Sequence, residues 1–373
     1  MKYIAYVLWG GAICAYYMQP FCRDLAIAIV PMLSFFLFYC FIKYGFIFNY
    51  NIALLMLFFC IWLSVSAVYS SLDYNCDYSN IIRFVLILIA IPLAQNVNWG
   101  KFQTEYNIFI IISCIKSILI VCIFSVVFQS QDYSNWREWA KLSEAGDVYI
   151  LNGIPRVQLH GNALLVVAFM IDYALRKRFN TINIILLAGC LAAGNVAFIS
   201  IVIIFLCMMW WPIFAKQIKG RNWSLVISFP LCIFALIAFF YYLTFNFEQK
   251  SELSNVIRKE QMEILLDSLF LIGHGVGAMV TETGDFRDYT GNIYFELQPL
   301  YIVFQIGVIG LIVFYIITIY SYINEKVALM VYALYLLFSG VNPYCFDSTH
   351  VIAVILISGV LLRKSSCNMV VEK

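Results

Sequence analysis

The feature that most constrains this chain is the length and spacing of its apolar runs. A helix needs about 20 apolar residues to cross the hydrocarbon core, within a range of roughly 17–25. Runs near that length lie at Tyr3–Met18, Leu25–Ile42, Phe46–Tyr69, Ile81–Ala94, Tyr106–Phe128 and His160–Leu175. Others lie at Thr181–Trp211, Trp223–Phe245, Leu297–Tyr322, Val327–Gly340 and Val351–Leu362. The Thr181–Trp211 run is too long for one crossing, and Gly189, Gly194 and Asn195 interrupt it. It reads as two short helices meeting near Ala193–Asn195. The expectation is an all-α polytopic membrane protein, residues 1–373 forming one integral membrane domain of about twelve transmembrane helices.

Composition closes off the other classes. The chain is 63% hydrophobic and 12% charged, whereas a soluble domain carries about 25% charged residues. A soluble enzyme and a disordered chain are excluded. A net charge of +2 provides no basic field for a nucleic acid. The cysteines form no disulfide framework: most sit inside apolar runs, and only Cys76 and Cys345 read as exposed in polar loops. The first run lacks a small-x-small cleavage site before Gln19-Pro20 and is expected to remain as a span.

Basic residues set the expected orientation. With the N-terminus inside, Lys43, Lys101, Arg176-Lys177-Arg178, Lys216, Lys219, Arg221, Lys326 and the Arg363-Lys364 tail all fall in cytoplasmic connections. The two dense clusters do so only if Thr181–Trp211 crosses twice. Both termini are then cytoplasmic. Three polar segments are external: Gln129–Pro155 (a loop of residues 129–157), Glu248–Glu296 (a larger loop of residues 247–297, between the ninth and tenth spans), and Asn342–Thr349. Within the second, apolar Val256, Ile257, Met262, Leu265, Leu266 and Leu269 recur at the period of an amphipathic helix.

Ionisable residues at the external edge of spans are costly there and so are functional candidates. Arg156 precedes His160-Gly161-Asn162 at the start of the sixth span. It reads either as a bidentate partner for phosphate or as an anchor snorkelling to headgroups. Arg258 lies on the amphipathic segment beside Lys259, Glu260 and Glu263, a pattern equally suited to a solvated helix face. Gly273-His274-Gly275-Val276-Gly277 resembles a phosphate-cradling loop, but a turn needing positive φ accounts for its glycines as well. Glu296 stands where the loop returns to the membrane, as a buried acid–base group or as a helix cap. Gly307 and Gly310 behind it read as close helix packing. Asp347 begins a capping pattern in the last turn, followed by His350. Lys116 is the one clear mid-span charge.

Taken together, these residues resemble the bacterial O-antigen polymerase (Wzy-type) and O-antigen ligase superfamily. The resemblance rests on span number, a large late periplasmic loop and the order Arg156…Gly161-Asn162, Arg258…Gly273-His274-Gly275-Val276-Gly277, then Glu296…Gly307-Val308-Ile309-Gly310. It covers roughly Arg156 to the end of the chain. In the ligase branch a His followed by Asn, Ser or Gln occupies the position of Glu296-Leu297, which favours the polymerase branch here.

The resemblance implies a metal-independent glycosyltransferase without cofactors in the bacterial inner membrane. It would move an undecaprenyl-diphosphate-linked growing glycan onto the sugar of an incoming lipid-linked repeat unit. Arg156 and Arg258 would hold the diphosphate, and Glu296 would take the acceptor proton. His160, Asn162, His274, Asp347 and His350 would support them. Implied partners are the lipid-linked oligosaccharide and polymer, the bilayer, a chain-length regulator and a flippase, with no nucleic acid. Two rivals stand beside this reading: a ligase transferring glycan to lipid A-core, and a flippase or transporter, which would line a path with intramembrane charges.

Overall fold

The computed structural model describes residues 2–22, 24–47, 50–72, 76–100, 102–143, 145–151, 153–219, 256–266, 271–286, 288–291, 295–340, 342 and 344–362. The span expected at Trp223–Phe245 and the Arg363-Lys364 tail lie outside the described residues.

The first half is built from α1 (Lys2–Met18), α2 (Leu25–Tyr44), α3 (Tyr50–Ser71), α4 (Tyr78–Gln95) and α5 (Gln103–Ser130). A short helix α6 (Ser134–Leu142) and two strands, β1 (Gly146–Leu151) and β2 (Ile154–Leu159), follow. Then come α7 (Ala163–Arg176), α8 (Thr181–Ala193) and α9 (Val196–Lys219). Residues 256–265 form α10. The chain ends in α11 (Gln298–Tyr320), α12 (Lys326–Ser339) and α13 (Ser348–Ile357), with a π-helical turn Ser358–Leu362 continuing the last.

Of the described helices, five are long and apolar enough to cross a membrane: those at Ile27–Tyr44, Tyr50–Ser71, Tyr78–Gln95, Gln103–Ser130 and Gln298–Tyr320. Their outer faces carry exposed large apolar residues such as Ile27, Phe35, Ile42, Leu57, Val65 and Ile111. In water such a belt would be an aggregation surface; in lipid it is ordinary. The other apolar helices are shorter. Two of them are the axis of the bundle: every residue from Ala163 to Ala174 in α7 and from Thr349 to Ile357 in α13 is buried. Their mostly apolar sequences, interrupted by Asp172 and His350, match burial on all sides.

The long run at 181–211 does divide. Asn180 accepts a hydrogen bond from the Asn183 N–H to start α8, and Gly194, at φ +65°, ends it. The Asn195 side chain then accepts from the Ala197 N–H to start α9.

The chain is mostly helical, consistent with the all-α expectation, with one small β element besides. The first long loop holds an antiparallel hairpin, β1 paired with β2 in the register Gly146↔Leu159 to Leu151↔Ile154. Gly146 (φ +135°) leaves no room for a Cβ, which would stand 2.0 Å from the Gln158 carbonyl oxygen. An ion pair, Arg137 Nε to Asp147 Oδ1 at 3.1 Å, fastens α6 to β1. Arg156 is therefore a strand residue opposite Tyr149, and α7 begins seven residues after it.

Helix α11 is broken at Gly307 (φ +71°, ψ 169°). Sequence had assigned this glycine to close packing. That suits Gly310, whose Cβ would meet Trp62 Nε1 at 2.8 Å. At Gly307 the break would leave carbonyls of the preceding turn without helical donors. They are satisfied from outside: Phe304 O by the His274 N–H (2.7 Å), Gln305 O by the Gly275 N–H (2.9 Å) and Ile306 O by Trp62 Nε1 (3.0 Å). The Ile309 N–H in turn donates to Leu271 O.

Candidate functional site

The segment 271–280 is the piece of the second loop that fills this break. It descends along α3: Ser70 Oγ donates to Val276 O at 2.5 Å, and the Val276 N–H donates to Ser66 Oγ at 3.1 Å. From Ser71 to Trp62 is nine residues, a depth of about 13 Å at the helical rise. Part of the second loop thus lies inside the bundle. The Gly277 N–H donates to Gln305 Oε1, and Gln305 Nε2 donates to Ala278 O, both at 2.5 Å.

This arrangement decides between the two readings of the glycine-rich loop. The amides of His274, Gly275, Val276 and Gly277 are all spent on the protein, so they cradle no phosphate. Gly273, Gly275 and Gly277 all have positive φ, and a Cβ at any of them would come within 2.7 Å of neighbouring atoms. The His274 ring stacks on Phe304 with centroids 4.4 Å apart.

Above the wedge, two sequence candidates meet directly. Arg258, on α10, places Nε 3.2 Å from Glu296 Oε2, across 38 residues of sequence. Each side chain is about one-third exposed, at 35% and 31%. Glu296 is not the cap of α11: Leu297 occupies that position, with no side-chain hydrogen bond. Arg258 is likewise not a solvated face, since it faces the start of another helix. Gln261, one turn along α10, is fully buried and accepts from the Leu297 N–H at 3.4 Å. Its Nε2 has no partner among the described residues.

Two residues beyond Glu296, Gln298 Oε1 accepts the N–H groups of Cys345 and Phe346, both at 2.8 Å. This ties the turn before α13 to the start of α11. In that turn Asp347 caps α13, accepting from the Thr349 N–H (2.9 Å), the His350 N–H (3.4 Å) and Thr349 Oγ1 (2.7 Å). Tyr16 Oη sits 2.5 Å from the same threonine hydroxyl. Burial pushes the Asp347 carboxyl up to about 6, against the opposing pull of its hydrogen bonds and of Arg83.

His350 is not at this surface. It is fully buried, with Nε2 3.1 Å from Tyr332 Oη, Nδ1 against Cys345 O, and Phe314, Tyr335 and Phe346 around the ring. Both nitrogens are engaged, so it serves the core. Cys345, read from sequence as exposed, is also buried, and Cys76 is half-buried. Around His350 and Cys345 the aromatic neighbours Phe314 and Tyr315 come from α11, which hydropathy does not place beside this turn.

Arg156 is linked to the same turn only indirectly, through Gly194 and Asn195. It is 4% exposed, and Gly194 backs onto it so closely that a Cβ there would lie 2.6 Å from its Cγ. The next residue, Asn195, donates from Nδ2 to Asn342 Oδ1 at 3.4 Å. Asn162 Nδ2 donates to Val157 O at 2.8 Å, and its Oδ1 has no partner among the described residues. The His160 N–H donates to Ala145 O, closing the hairpin onto α6.

Sequence reasoning passed over Arg83, five residues into α4. It is half-buried and lies within electrostatic reach of both Asp347 and Tyr301. An arginine just inside an apolar run was the available signal. It also passed over Asp172, buried in α7. There the carboxylate accepts from Tyr106 Oη (2.8 Å), Arg176 Nε (3.0 Å), Asn180 Nδ2 (2.9 Å) and Asn183 Nδ2 (2.8 Å). Both oxygens of the carboxylate are thus engaged and the network is structural, although Asn183 Oδ1 has no partner among the described residues. Lys116 is buried too, donating to Tyr17 O at 3.1 Å with its ammonium over the Phe21 ring.

The result is a set of two carboxylates and two arginines, Arg258 and Arg83, about the starts of α11 and α13, with Arg156 buried behind Gly194. Arginines favour oxyanions and carboxylates accept protons, so the set suits a ligand carrying phosphate and a hydroxyl. Among the described residues no three His, Cys, Asp or Glu side chains cluster as a metal site. No protein-family model, curated protein or solved structure matches the chain significantly.

Proposed function

We propose that the protein is a polymerase of O-antigen type: a glycosyltransferase that joins lipid-diphosphate-linked sugars at the outer face of the bacterial inner membrane. The supporting observation is the Arg258–Glu296 pair, which couples an anion-binding group to a proton acceptor at the edge of lipid-facing helices.

The pair suggests an order of events. An incoming diphosphate competes with Glu296 for Arg258, and Arg156 adds charge from the hairpin side. The displaced carboxylate is then free to accept a proton from the acceptor sugar hydroxyl. That oxygen bonds to C1 of the donor sugar. The bond from C1 to the diphosphate oxygen breaks, and its electron pair leaves with the diphosphate, which the arginines stabilise in a low-dielectric setting. Asp347 and Asn162 support the surrounding turn and hairpin.

In this reading the orientation is that of the basic clusters, with both termini cytoplasmic. The bilayer supplies the lipid-linked repeat and holds the growing polymer. A flippase would deliver the repeat and a regulator would limit chain length. The test is transfer in vitro from a purified lipid-linked repeat, with and without lipid A-core. Products longer than one repeat without lipid A-core support polymerase. Transfer only to lipid A-core means ligase, and movement of the lipid without new glycosidic bonds means flippase.

A further inference from the structure

We infer that Arg83 and the Tyr301 hydroxyl form a second oxyanion subsite, for a phosphate-type group, between α4, α11 and α13. The inference rests on the diphosphate reading above and adds a residue pair that no motif singled out.

Arg83 stands six residues past the cap of α4, where Asp77 accepts from the Ser79 N–H and hydroxyl. Neither nearby carboxylate pairs with Arg83 directly. Asp77 is held by Ser79, and both Asp347 oxygens are used by Thr349 and His350. Among the described residues the Arg83 guanidinium takes no hydrogen bond and no ion pair, although Asp347 and Tyr301 lie within its field. A half-buried cation placed this way is poorly compensated at the rim of an apolar bundle.

Tyr301 supplies the independent observation. It is 1% exposed, and its hydroxyl has no hydrogen-bond partner among the described residues. The ring cannot swing away to find one. It is stacked on Phe295 (4.6 Å) and Phe304 (6.2 Å) and meets Phe84, the neighbour of Arg83, edge-on at 5.7 Å. Among the described residues both groups thus lack a hydrogen-bond partner, they lie within electrostatic reach of each other, and Phe84, next to Arg83, packs on the Tyr301 ring. Arginine only donates, and a phenol donates well. The ligand must accept hydrogen bonds from both and carry negative charge, as a phosphate oxyanion does and a neutral sugar hydroxyl does not.

The experiment uses the full chain in lipid nanodiscs and measures binding of farnesyl diphosphate by calorimetry. Arms with inorganic diphosphate and with phosphatidylglycerol in the nanodisc distinguish a prenyl diphosphate, a free anion and a lipid headgroup as its source. Arg83→Gln is expected to weaken the bound arm about tenfold or more, and Tyr301→Phe, which keeps the ring packing, about three- to tenfold. Thermal unfolding of each variant controls for folding, and Tyr301→Phe keeps the test decisive if Arg83→Gln is unstable. Wild-type affinity in both variants, with loss in Arg258→Gln, overturns the subsite and leaves the diphosphate reading standing. Loss in both, with Arg258→Gln and Arg156→Gln unaffected, supports the subsite and sinks that reading. If the wild-type protein binds none of the three probes, both fall.

Discussion

Replacing Glu296 by Gln separates structure from chemistry at the Arg258 contact. Glutamine keeps the size of the side chain and an oxygen able to accept from Arg258 Nε, now 3.2 Å from the carboxylate. It loses the charge and the capacity to take a proton. Because each side chain is about one-third exposed, the ion pair contributes at most about 1 kcal/mol, less in salt. No cap is lost, since Glu296 does not cap α11. A general base contributes about 10²–10⁴-fold in rate, or about 3–5 kcal/mol of barrier. The expected result is a protein with nearly unchanged melting temperature and a collapse of polymer formation. The assay is a polymer ladder from lipid-linked repeats with the purified protein in nanodiscs, read beside thermal unfolding. A Glu296→Gln protein that extends chains at near wild-type rate refutes the reasoning. If Asp347→Asn is then inactive, the proton acceptor is Asp347.

Three further outcomes follow from the geometry. Arg156→Lys and Arg258→Lys keep the charge but lose the planar fork, so polymer length should fall severely in both; wild-type length in both contradicts the diphosphate assignment. Gly307→Ala should cost about 3–6 kcal/mol, combining a backbone region open only to glycine with displacement of Leu271 O, 2.2 Å from the new Cβ; undiminished thermal stability of the purified variant would show that the break is not needed. The Asp347 carboxyl is raised to about 6 in the fold from about 3.9 unfolded. The folded state therefore binds the proton more tightly, and this group's contribution, about 2–3 kcal/mol, is present below pH 4 and lost as pH rises through 6. Asp347→Asn should flatten the dependence of melting temperature on pH between 4 and 6.

Hydropathy made the helices legible, and Gly194-Asn195 marked the divide between α8 and α9 because a positive-φ glycine and a capping asparagine act locally. The α10 periodicity was similarly local, and it placed Arg258 on a helix. Hydropathy does not tell a helix facing lipid from one buried on all sides, so α7 and α13 read like the others. It does not show that Gly307 interrupts α11, because the donors repairing the break come from residues 274, 275 and 62. The hairpin escaped because its strands are six residues each and its partner groups satisfy one another away from any long pattern. Arg83 escaped because a single charge in an apolar run carries meaning only once Tyr301 and Asp347 are seen beside it.

The wedge formed by residues 271–280 bears on how the protein is made. Backbone groups left open in hydrocarbon cost several kcal/mol each, so α11 can hold its break at Gly307 only once donors from outside the helix reach it. Its missing donors come from a loop synthesised just before it and from Trp62, 244 positions earlier than Ile306. Insertion of α11 and docking of the loop onto α3 are therefore one maturation step. Before that step any break at Gly307 would leave open backbone groups within the bilayer, a costly state that can mark a chain for degradation. Damage to Ser66, Ser70 or Trp62 would then surface as degradation of the whole chain, not as loss of a local contact.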